Sequence, residues 1–404
     1  MWHRISDGIV SRAPATGPQA AATAVGAETG PMADDKPIKT ASARARSALI
    51  LAQGDWRLEY RVLRCAAECF DRVYVLGAGA SAMLRLSRFC SGFFRLKGSF
   101  SDADQAATVV EINRLCDALG IDRILPAGPG TTRFLTGHGP LLVAPHYPVP
   151  PREVFDILND KWRFAGLCAS LGVPHPPTRY FATRAEFAEL AERDRAAYPL
   201  VMKPLRMAGG RGVTKLNNLT DFSRSTKYEP LIVQDYVPGD DYCCFFFCRN
   251  GTITASITYL KTTAGVVFVD VPEITQTAAK FIEHFHYNGV IGFDILRSHT
   301  GEIAFIECNP RFWIRIELPM IFGLNFIDVD LLSVSDPIGI NNEIPMLSPR
   351  HLAKALFTPW RLSRNDLALI KYLSSDPLPN AMQRIANAFA PRRSLRRGGS
   401  LEAV

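Results

Sequence analysis

The chain has 404 residues, of which 47% are hydrophobic and 21% are charged, and this balance predicts a folded protein with two or three subdomains. The net charge of +7 indicates nucleic-acid binding only weakly, because four positive charges lie in the run PRRSLRR, which has no interleaved aromatic residue and resembles a solvated tail. No stretch approaches the roughly 20 apolar residues of a membrane helix. Neither a nucleic acid nor a membrane is therefore predicted as a partner.

Cysteine and histidine usage predicts a reducing compartment and no zinc site. The nine cysteines are scattered without a CxxC pair and have mostly apolar neighbours, which is typical of reduced thiols in a cytoplasmic protein. The eight histidines show no ligand spacing. Residues 1–45 are rich in Ala, Gly, Pro and Thr without periodicity, and we expect a disordered extension there rather than a secretory signal.

Residues 46–150 are predicted to form an N-terminal Rossmann-like domain. The strand SALILAQGD, the helix WRLEYRVLRCAAECF and the strand DRVYVLGAGAS follow one another, and the helix DQAATVVEINRLCDALG and the strand IDRILPAG come next. This order predicts βαβ units and a parallel sheet. The segment GAGASA at 77–82 matches the dinucleotide pattern GxGxxA. It follows the second strand, however, and lacks the later acidic residue, so a simple glycine turn is favoured over nicotinamide binding.

The proline-rich segment 145–151 predicts a domain boundary. One helix is expected over 152–172 and another over 184–197, followed by a strand-rich region with a helix near 275–288. The last hairpin of this region pairs GFDILR with EIAFIECN. Residues 331–404 are weakly patterned, but ALFTPWRL and LALIKYL are apolar enough for us to expect packing against the preceding domain.

The last hairpin carries a candidate metal site. Glu307 and Asn309 are two residues apart and therefore share one strand face. An even loop would place Asp294 opposite residue 305 and on the same face as Glu307. Two carboxylates and an amide suit Mg²⁺ bound together with phosphate oxygens. The alternative is a surface hairpin with polar tips, which explains Asp294 poorly because Phe293 and Ile295 flank it.

A second candidate site lies in YPLVMKPLRMAGGRGV. Lys203 ends an apolar strand, and the glycines that follow let backbone N–H groups turn toward an anion. The sequence GxxxxGK[ST] of a P-loop is absent. By itself this segment fits a hairpin or a phosphate lid equally well, and the downstream metal site favours the phosphate interpretation.

Five segments in order resemble the ATP-grasp superfamily, in particular its carboxylate–amine ligase-like, carbamoyl-phosphate-synthase-related branch. They are NDKWRFAGLCASLGVPHPPT, YPLVMKPLRMAGGRGV, LIVQDYVPGDDYC, GVIGFDIL and IAFIECNPRFW. The resemblance covers about residues 47–330 and implies an α/β fold, α+β in the ATP-grasp part. A two-subdomain ATP-grasp domain over 151–330 would follow the Rossmann-like domain, and the segment 331–404 would pack on the ligase body.

The resemblance also implies a role for each matching residue. Lys161 and Lys203 match the lysines that contact ATP phosphates, and residues 207–213, with Arg211 inside, match the lid over them. The segment Gln234–Val237 matches the hinge that contacts adenine, and Asp241 matches the acid that binds the ribose hydroxyls. The full nucleotide-binding set is Lys161, Lys203, Gly209, Gly210, Arg211, Gly212, Gln234, Asp235, Tyr236, Val237 and Asp241.

The implied metal ligands are Asp294, Glu307 and Asn309, for Mg²⁺ or alternatively Mn²⁺. Arg311 matches the arginine that stabilises the transferring phosphoryl group or the substrate carboxylate, and Lys261 adds a catalytic contact. Two positions depart from the family. Gln234 replaces the acidic residue usual at the hinge, and the segment Ile314–Arg315 stands where related sequences have a small glycine, which changes the acceptor pocket.

The implied function is an ATP- and Mg²⁺-dependent ligase that activates a small-molecule carboxylate as an acylphosphate for attack by an amine. Two alternatives stay open: a nucleotide-binding regulatory or scaffold protein without ligase activity, and an enzyme that only phosphorylates a carboxylate. A homodimer is one of the open oligomeric states.

Overall fold

The computed structural model describes residues 46–101, 105–193, 197–207, 209–330, 337–340, 343–355, 360 and 362–382. The predicted N-terminal extension, the PRRSLRR tail and most of ALFTPWRL lie outside these residues. Within the described ranges, the helices are too short or too polar to cross a membrane.

A four-stranded sheet forms the N-terminal part of the described chain. Its strands are β1 (Ser47–Ala52), β2 (Arg72–Gly77), β3 (Gly92–Arg95) and β4 (Arg123–Pro126), in the order β3-β2-β1-β4. All three pairings are parallel, which confirms the predicted βαβ arrangement. Helices α1 (Trp56–Cys69), α2 (Gln105–Leu119) and α3 (Pro129–His138) connect or follow these strands. The short edge strand β3 was not predicted, because its four residues are only partly buried or exposed and give no clear periodicity.

The carboxylate of Glu59 binds the backbone of the turn that follows β1. Oε1 of Glu59 accepts hydrogen bonds from the backbone N–H groups of Gln53 and Gly54, at 2.6 and 2.7 Å. In dinucleotide-binding folds, the first strand–helix turn is where a pyrophosphate binds. Gly77, in the GAGASA segment, has a packing role: a Cβ there would lie 2.9 Å from the Cβ of Ala52.

A small antiparallel sheet follows, in the order β5-β8-β6-β7. Its strands are β5 (Thr178–Phe181), β6 (Leu200–Pro204), β7 (Thr214–Leu216) and β8 (Leu231–Asp235), with α6 (Arg184–Arg193) and α7 (Leu219–Arg224) packed beside them. The single helix predicted over 152–172 is wrong. The chain forms α4 (Arg152–Asn159) and α5 (Lys161–Ser170), because Asp160 leaves the helical conformation and caps α5 by accepting from the N–H groups of Trp162 and Arg163.

A larger, mainly antiparallel sheet forms the centre of the structure, in the order β13-β12-β9-β10-β11-β15, with β14 beside β10. Its elements and those that follow it are β9 (Asp240–Arg249), β10 (Thr252–Lys261), β11 (Gly265–Phe268), α8 (Pro272–His284), β12 (Gly289–Arg297), β13 (Ile303–Asn309), α9 (Glu317–Ile321), β14 (Ile338–Gly339), β15 (Ile344–Leu347), α10 (Pro349–Ala355) and α11 (Arg364–Ser374). The parallel N-terminal sheet and these antiparallel sheets confirm the predicted fold class.

The two faces of the large sheet have different partners. Side chains alternate along β9, so Phe246 and Cys248 pack with α5 and α8 on one face. Phe245 and Phe247 point to the opposite face, where they share a core with α1 and with Leu369 of α11. That second face becomes polar toward one end of its strands, and the candidate site lies there.

The register of the hairpin β12–β13 differs from the predicted one. Asp294 pairs directly with Glu307, whereas Ile295 pairs with Phe305, so one residue of β13 is accommodated as a bulge. The predicted pairing of Asp294 with residue 305 is therefore wrong. The bulge brings the two carboxylates closer together, because residues directly opposite across a ladder are nearer than diagonal ones.

Candidate active site

The polar end of the large sheet gathers side chains from four neighbouring strands on one face. They are Asp241 and Cys243 of β9, Lys261 of β10, Asp294 of β12, and Glu307 and Asn309 of β13. All belong to the face that packs toward α1, because side chains along each strand alternate between faces. The structure thus brings together five predicted site residues and one that the sequence analysis did not single out.

Asp294 is the best connected carboxylate of the cluster. Its Oδ1 lies 3.1 Å from Lys261 Nζ and 2.7 Å from Cys243 Sγ, and its Oδ2 accepts from Asn309 Nδ2 at 3.0 Å. Burial by itself would raise the pKa of Asp294, but the positive charge of Lys261 and the thiol hydrogen bond from Cys243 hold that pKa below its usual value. Asp294 is therefore an anion held among three donors.

Lys261 bridges two of the carboxylates. Its Nζ donates to Oδ1 and Oδ2 of Asp241 at 2.9 and 3.1 Å, in addition to its contact with Asp294. Burial lowers the pKa of Lys261, but the two aspartates outweigh that effect and raise it above its usual value. Asp241, which the resemblance assigned to ribose, is thus engaged by this ammonium group.

Lys161 approaches the cluster from the first residue of α5. Its Nζ lies 3.1 Å from Glu307 Oε1 and donates to the carbonyl of Met207 at 3.0 Å, and the lysine side chain is only 3% exposed. The break at Asp160 orients this lysine, because it places Lys161 at the start of a helix rather than inside one. The ammonium group of Lys161 can therefore contact an anionic group that lies beside Glu307 and the carbonyl of Met207.

Lys203 comes from β6 of the small sheet and is also buried. Its Nζ lies 3.5 Å from the carbonyl oxygen of Ile306, next to Glu307. Burial lowers its pKa to about 8; Glu307 opposes this shift and Lys161 adds to it. Two lysines therefore face the carboxylates of β12 and β13, Asp294 and Glu307, and the two sets of charges balance each other.

Arg311 lies two residues after the end of β13. Its Nη2 donates to Asn309 Oδ1 at 2.6 Å and its Nη1 to the carbonyl of Phe312 at 3.1 Å. Its Nε is buried without a hydrogen-bond partner among the described residues. Because Asn309 receives from Arg311 and donates to Asp294, it links the arginine to the carboxylate cluster.

The glycine loop lies between β6 and β7. Gly209 and Gly210 have φ of +69° and +70°, a region that other residues rarely adopt. No atom lies within 4 Å of a Cβ built on either residue, so these glycines are required by backbone conformation rather than by crowding. Arg211 and Gly212 follow in the same loop, whereas Ala208, part of the predicted lid, lies outside the described residues.

The predicted hinge begins at the end of β8. The Gln234 side chain is buried and donates through Nε2 to Thr178 Oγ1 at 2.9 Å, so its amide points along the small sheet. Asp235 is exposed, and Val237 follows Tyr236, whose ring lies 3.6 Å from Lys215 Nζ. The hinge therefore offers backbone groups of residues 235–237 and the face of Tyr236.

Cys243 is the site residue that the sequence analysis missed. Its sulfur, with one oxygen each from Asp241 and Asp294, belongs to a group of potential ligand atoms within 4.8 Å of one another. Burial and the nearby Asp294 raise the pKa of the Cys243 thiol, so it keeps its proton and donates to Asp294. Period-two alternation along DDYCCFFFC could have revealed it, since Asp241 and Cys243 are two residues apart.

Sequence comparisons match the central part of the chain to known proteins. A family model described as an ATP-grasp domain matches residues 158–313. The carbamoyl phosphate synthase large chain of Rubrobacter xylanophilus is 41% identical over 59 residues, covering 15% of this chain and 5% of that protein. The arginine-specific large chain of Halalkalibacterium halodurans is 29% identical over 97 residues, covering 22% and 9%. The matched stretches thus represent less than a tenth of either relative.

Solved structures of a synthase, a ligase and a carboxylase domain have similar folds. Carboxyaminoimidazole ribonucleotide synthase of Aspergillus clavatus, complexed with ATP, gives a TM-score of 0.57 at 17% identity over 78% of this chain and 87% of that one. An L-amino acid ligase of Bacillus licheniformis gives 0.55 at 14% identity, covering 70% and 73%. The biotin carboxylase domain of Hydrogenobacter thermophilus 2-oxoglutarate carboxylase, with MgADP, gives 0.54 at 15% identity, covering 74% and 72%.

At these low identities the structural likeness establishes the fold, and the family match establishes which part of the chain carries it. The predicted resemblance is confirmed for the central part of the chain. Residues 158–313 match the ATP-grasp domain model, and the described fold is shared with the solved structures named above.

Proposed function

We propose that this chain is an ATP- and Mg²⁺-dependent ligase that activates a small-molecule carboxylate as an acylphosphate and joins it to an amine. One observation carries the proposal: Lys161 and Lys203 reach the face of the large sheet on which Asp294, Glu307 and Asn309 converge. Buried lysines opposite hard oxygen donors suit a nucleotide triphosphate bound with a divalent cation.

The residues fit a magnesium ion by their chemistry. Asp294 and Glu307 are directly paired across the hairpin, and each contacts an ammonium group, which supports a role for both carboxylates in holding a positive charge. Asn309 directs Nδ2 to Asp294 and Oδ1 to Arg311, so its amide group would have to rotate for the oxygen to join the two carboxylates. Asp294, Glu307 and Asn309 would hold the ion, which would supply positive charge to offset the charge that develops during phosphoryl transfer.

In the reaction we propose, a carboxylate oxygen of the substrate bonds to the γ-phosphorus of ATP while the bond from that phosphorus to the β–γ bridging oxygen breaks, releasing ADP. The amine nitrogen then bonds to the acyl carbon, the carbon–oxygen bond to phosphate breaks, and the nitrogen loses a proton. The side chains contribute position and charge rather than covalent chemistry. Lys161 and Lys203 hold phosphate oxygens, and Arg311 faces the transferred group.

Purified protein tests the proposal in two measurements. ADP release is followed with MgATP and panels of carboxylates and amines, and hydroxylamine is added as a nucleophile that traps an acylphosphate as a hydroxamate. Carboxylate-dependent ADP release with hydroxamate formation is the expected result. MgATP binding without ADP release on any panel member would contradict it and favour the regulatory alternative. ADP release with an acylphosphate that amines never consume would favour the carboxylate kinase.

A further inference from the structure

Asp160 lies between α4 and α5 and uses both of its carboxylate oxygens. Its Oδ1 accepts hydrogen bonds from the backbone N–H groups of Trp162 and Arg163, each at 3.1 Å, and so caps α5. Its Oδ2 lies 3.2 Å from Nε of Arg206, a residue of the loop that follows β6. The Asp160 side chain is only 4% exposed. One buried carboxylate therefore links the start of α5 to the chain that follows β6.

Lys161 adds two contacts between the same segments. Its backbone N–H donates to the carbonyl of Leu205 at 3.1 Å, and its Nζ donates to the carbonyl of Met207 at 3.0 Å. Arg206 stands between these two residues in the chain. We call residues 205–207 the loop base, because the glycine loop begins there. Three contacts from two consecutive residues therefore hold the loop base against the start of α5.

The loop base also relates the two buried lysines to each other. Lys161 is the first residue of α5, and Lys203 lies in β6, two residues before Leu205. The two ammonium groups repel each other, and Lys161 contributes to the lowered pKa of Lys203. Glu307 offsets part of this repulsion, with one oxygen 3.1 Å from Lys161 Nζ. The connection between α5 and the loop base keeps both lysines in place against the remaining repulsion.

The direction of the Lys161 ammonium group depends on the loop base. This group has three N–H donors, and two of them are directed to Glu307 and to the carbonyl of Met207. Among the contacts of the described residues, the third donor is left for a phosphate oxygen. A shift of the loop base would move the carbonyl of Met207, and with it the direction of this third donor. Gly209 and Gly210 follow the loop base with φ of +69° and +70°, so the same shift would displace their backbone N–H groups.

We propose that Asp160 and Arg206 are positioning residues of the nucleotide site: their ion pair aligns the loop base, and through it Lys161 and the glycine loop, with the β- and γ-phosphates of ATP. This inference rests on the ATP-dependent function proposed above and adds two residues that act through their neighbours. Arg206 is 63% exposed, and an ion pair with an exposed partner contributes little to folding stability because water screens it. The pair therefore acts on the geometry of the site rather than on the stability of the fold.

Two single variants remove the ion pair without removing the cap of α5. Asp160→Asn keeps a good capping residue at this position, and Arg206→Met leaves Asp160 unchanged. Both variants should bind the magnesium complex of AMP-PNP, a non-hydrolysable ATP analogue, at least fivefold more weakly than the wild type, as measured by calorimetry. Both should bind AMP within twofold of the wild type, because AMP lacks the β- and γ-phosphates. The urea midpoint of unfolding should stay at the wild-type value in both.

A double variant and a control complete the series. Asp160→Asn combined with Arg206→Met should bind AMP-PNP no more weakly than either single variant, because all three proteins lack the same contact. Arg163→Met removes an exposed positive charge from α5 and should bind both nucleotides as the wild type does. Unchanged affinity for AMP-PNP in both single variants would overturn the inference. Equal losses for AMP-PNP and AMP would also overturn it, since they indicate a general disturbance of the site.

Limited proteolysis tests the loop base without nucleotide. Trypsin cleavage after Arg211, in the glycine loop, should be at least threefold faster in Asp160→Asn and Arg206→Met than in the wild type. Cleavage after Lys280, in α8, reports general unfolding and should be unchanged. Equal cleavage rates after Arg211 in all proteins would overturn the inference. Absence of AMP-PNP binding in the wild type would instead contradict the proposed function itself.

Discussion

Lys261 Nζ lies 3.1 Å from Asp294 Oδ1, on the face where a divalent cation would need that same oxygen. An ammonium group and the proposed metal ion would therefore compete for one carboxylate. Lys261 also contacts Asp241, so it has a second anionic partner when Asp294 binds another cation. If the metal binds as proposed, Lys261 would keep its contact with Asp241 when Asp294 binds the ion.

Replacing Lys261 with methionine should change metal binding and catalysis in opposite directions. Without the competing ammonium, Mn²⁺ alone should bind at least tenfold more tightly, because Asp241 and Asp294 are left uncompensated. ADP release should fall at least tenfold, since a positive charge near the phosphates is lost. Calorimetry and the ADP assay check the two effects. The control is Lys280→Met, an exposed lysine of α8 on the other side of the sheet. Unchanged Mn²⁺ affinity in Lys261→Met would contradict the competition.

Glu307 should be required for turnover and for stability. Glu307→Gln removes the anionic partner of Lys161, whose buried ammonium then lacks compensation, and we expect a loss of about 1–3 kcal/mol in the free energy of unfolding. ADP release should fall at least 100-fold, because one of the three proposed metal ligands loses its charge. Glu302→Gln, in the exposed turn of the same hairpin, is the matched control and should behave as wild type. Near-normal turnover in Glu307→Gln would refute the metal assignment.

The buried positive charge of Lys203 should destabilise the folded protein at neutral pH. Burial lowers the pKa of Lys203 from 10.5 to about 8, so between these values the unfolded chain binds more protons at this position than the folded chain does. The contribution of Lys203 to stability therefore rises with pH across that window. Below about pH 8 both states are charged, and the buried ammonium destabilises the fold by roughly 3 kcal/mol relative to a neutral amine at this position.

Urea unfolding of wild type and Lys203→Met checks this prediction. The variant should be the more stable protein at pH 7, and its advantage should shrink as the pH approaches 10.5. Other titrating groups are common to both proteins, so the difference isolates Lys203. A difference in stability that does not change between pH 7 and pH 10 would show that the pKa of this lysine is not lowered.

Two glycines should respond oppositely to alanine. A Cβ on Gly292 of β12 would lie 2.2 Å from ring atoms of Phe245, whose ring stacks on Trp313 at 3.9 Å. Gly292→Ala should therefore lower the free energy of unfolding by about 1–3 kcal/mol. Gly166 of α5 has no atom within 4 Å of its built Cβ, and Gly166→Ala should stabilise the helix by about 0.5–1 kcal/mol. Denaturant titrations decide both; equal effects would contradict the packing described for Gly292.

Much of the site was predictable because strand alternation is local. The spacing of Glu307 and Asn309 placed them on one face without any knowledge of the fold, and the same rule applied to Asp241 would have added Cys243. The register of Asp294 could not be read in this way, because a bulge shifts the pairing by one residue and leaves no clear mark in composition. The helix break at Asp160 carried a signal, since aspartate is a favoured N-cap residue.

Contacts between residues far apart in the chain could not be predicted from the sequence. Arg61 and Glu317 are 256 residues apart and meet only because α1 packs against the segment after β13. The same packing buries Oε2 of Glu317 without a hydrogen-bond partner among the described residues, which the sequence does not indicate. The domain assignment, with bounds 46–150, 151–330 and 331–404, stays a prediction. The roles of the nucleotide-binding residues also stay predictions, which binding and turnover measurements address.

The most direct test of the account is the binding of ATP by calorimetry, with and without Mg²⁺, to the wild-type protein and to Lys203→Ala. Lys280→Ala, on α8, serves as the control. We expect Mg²⁺-dependent binding to the wild type and the control, and a loss of at least tenfold in affinity for Lys203→Ala. Equal binding by all three proteins, or none by the wild type, would contradict a nucleotide site between the two antiparallel sheets.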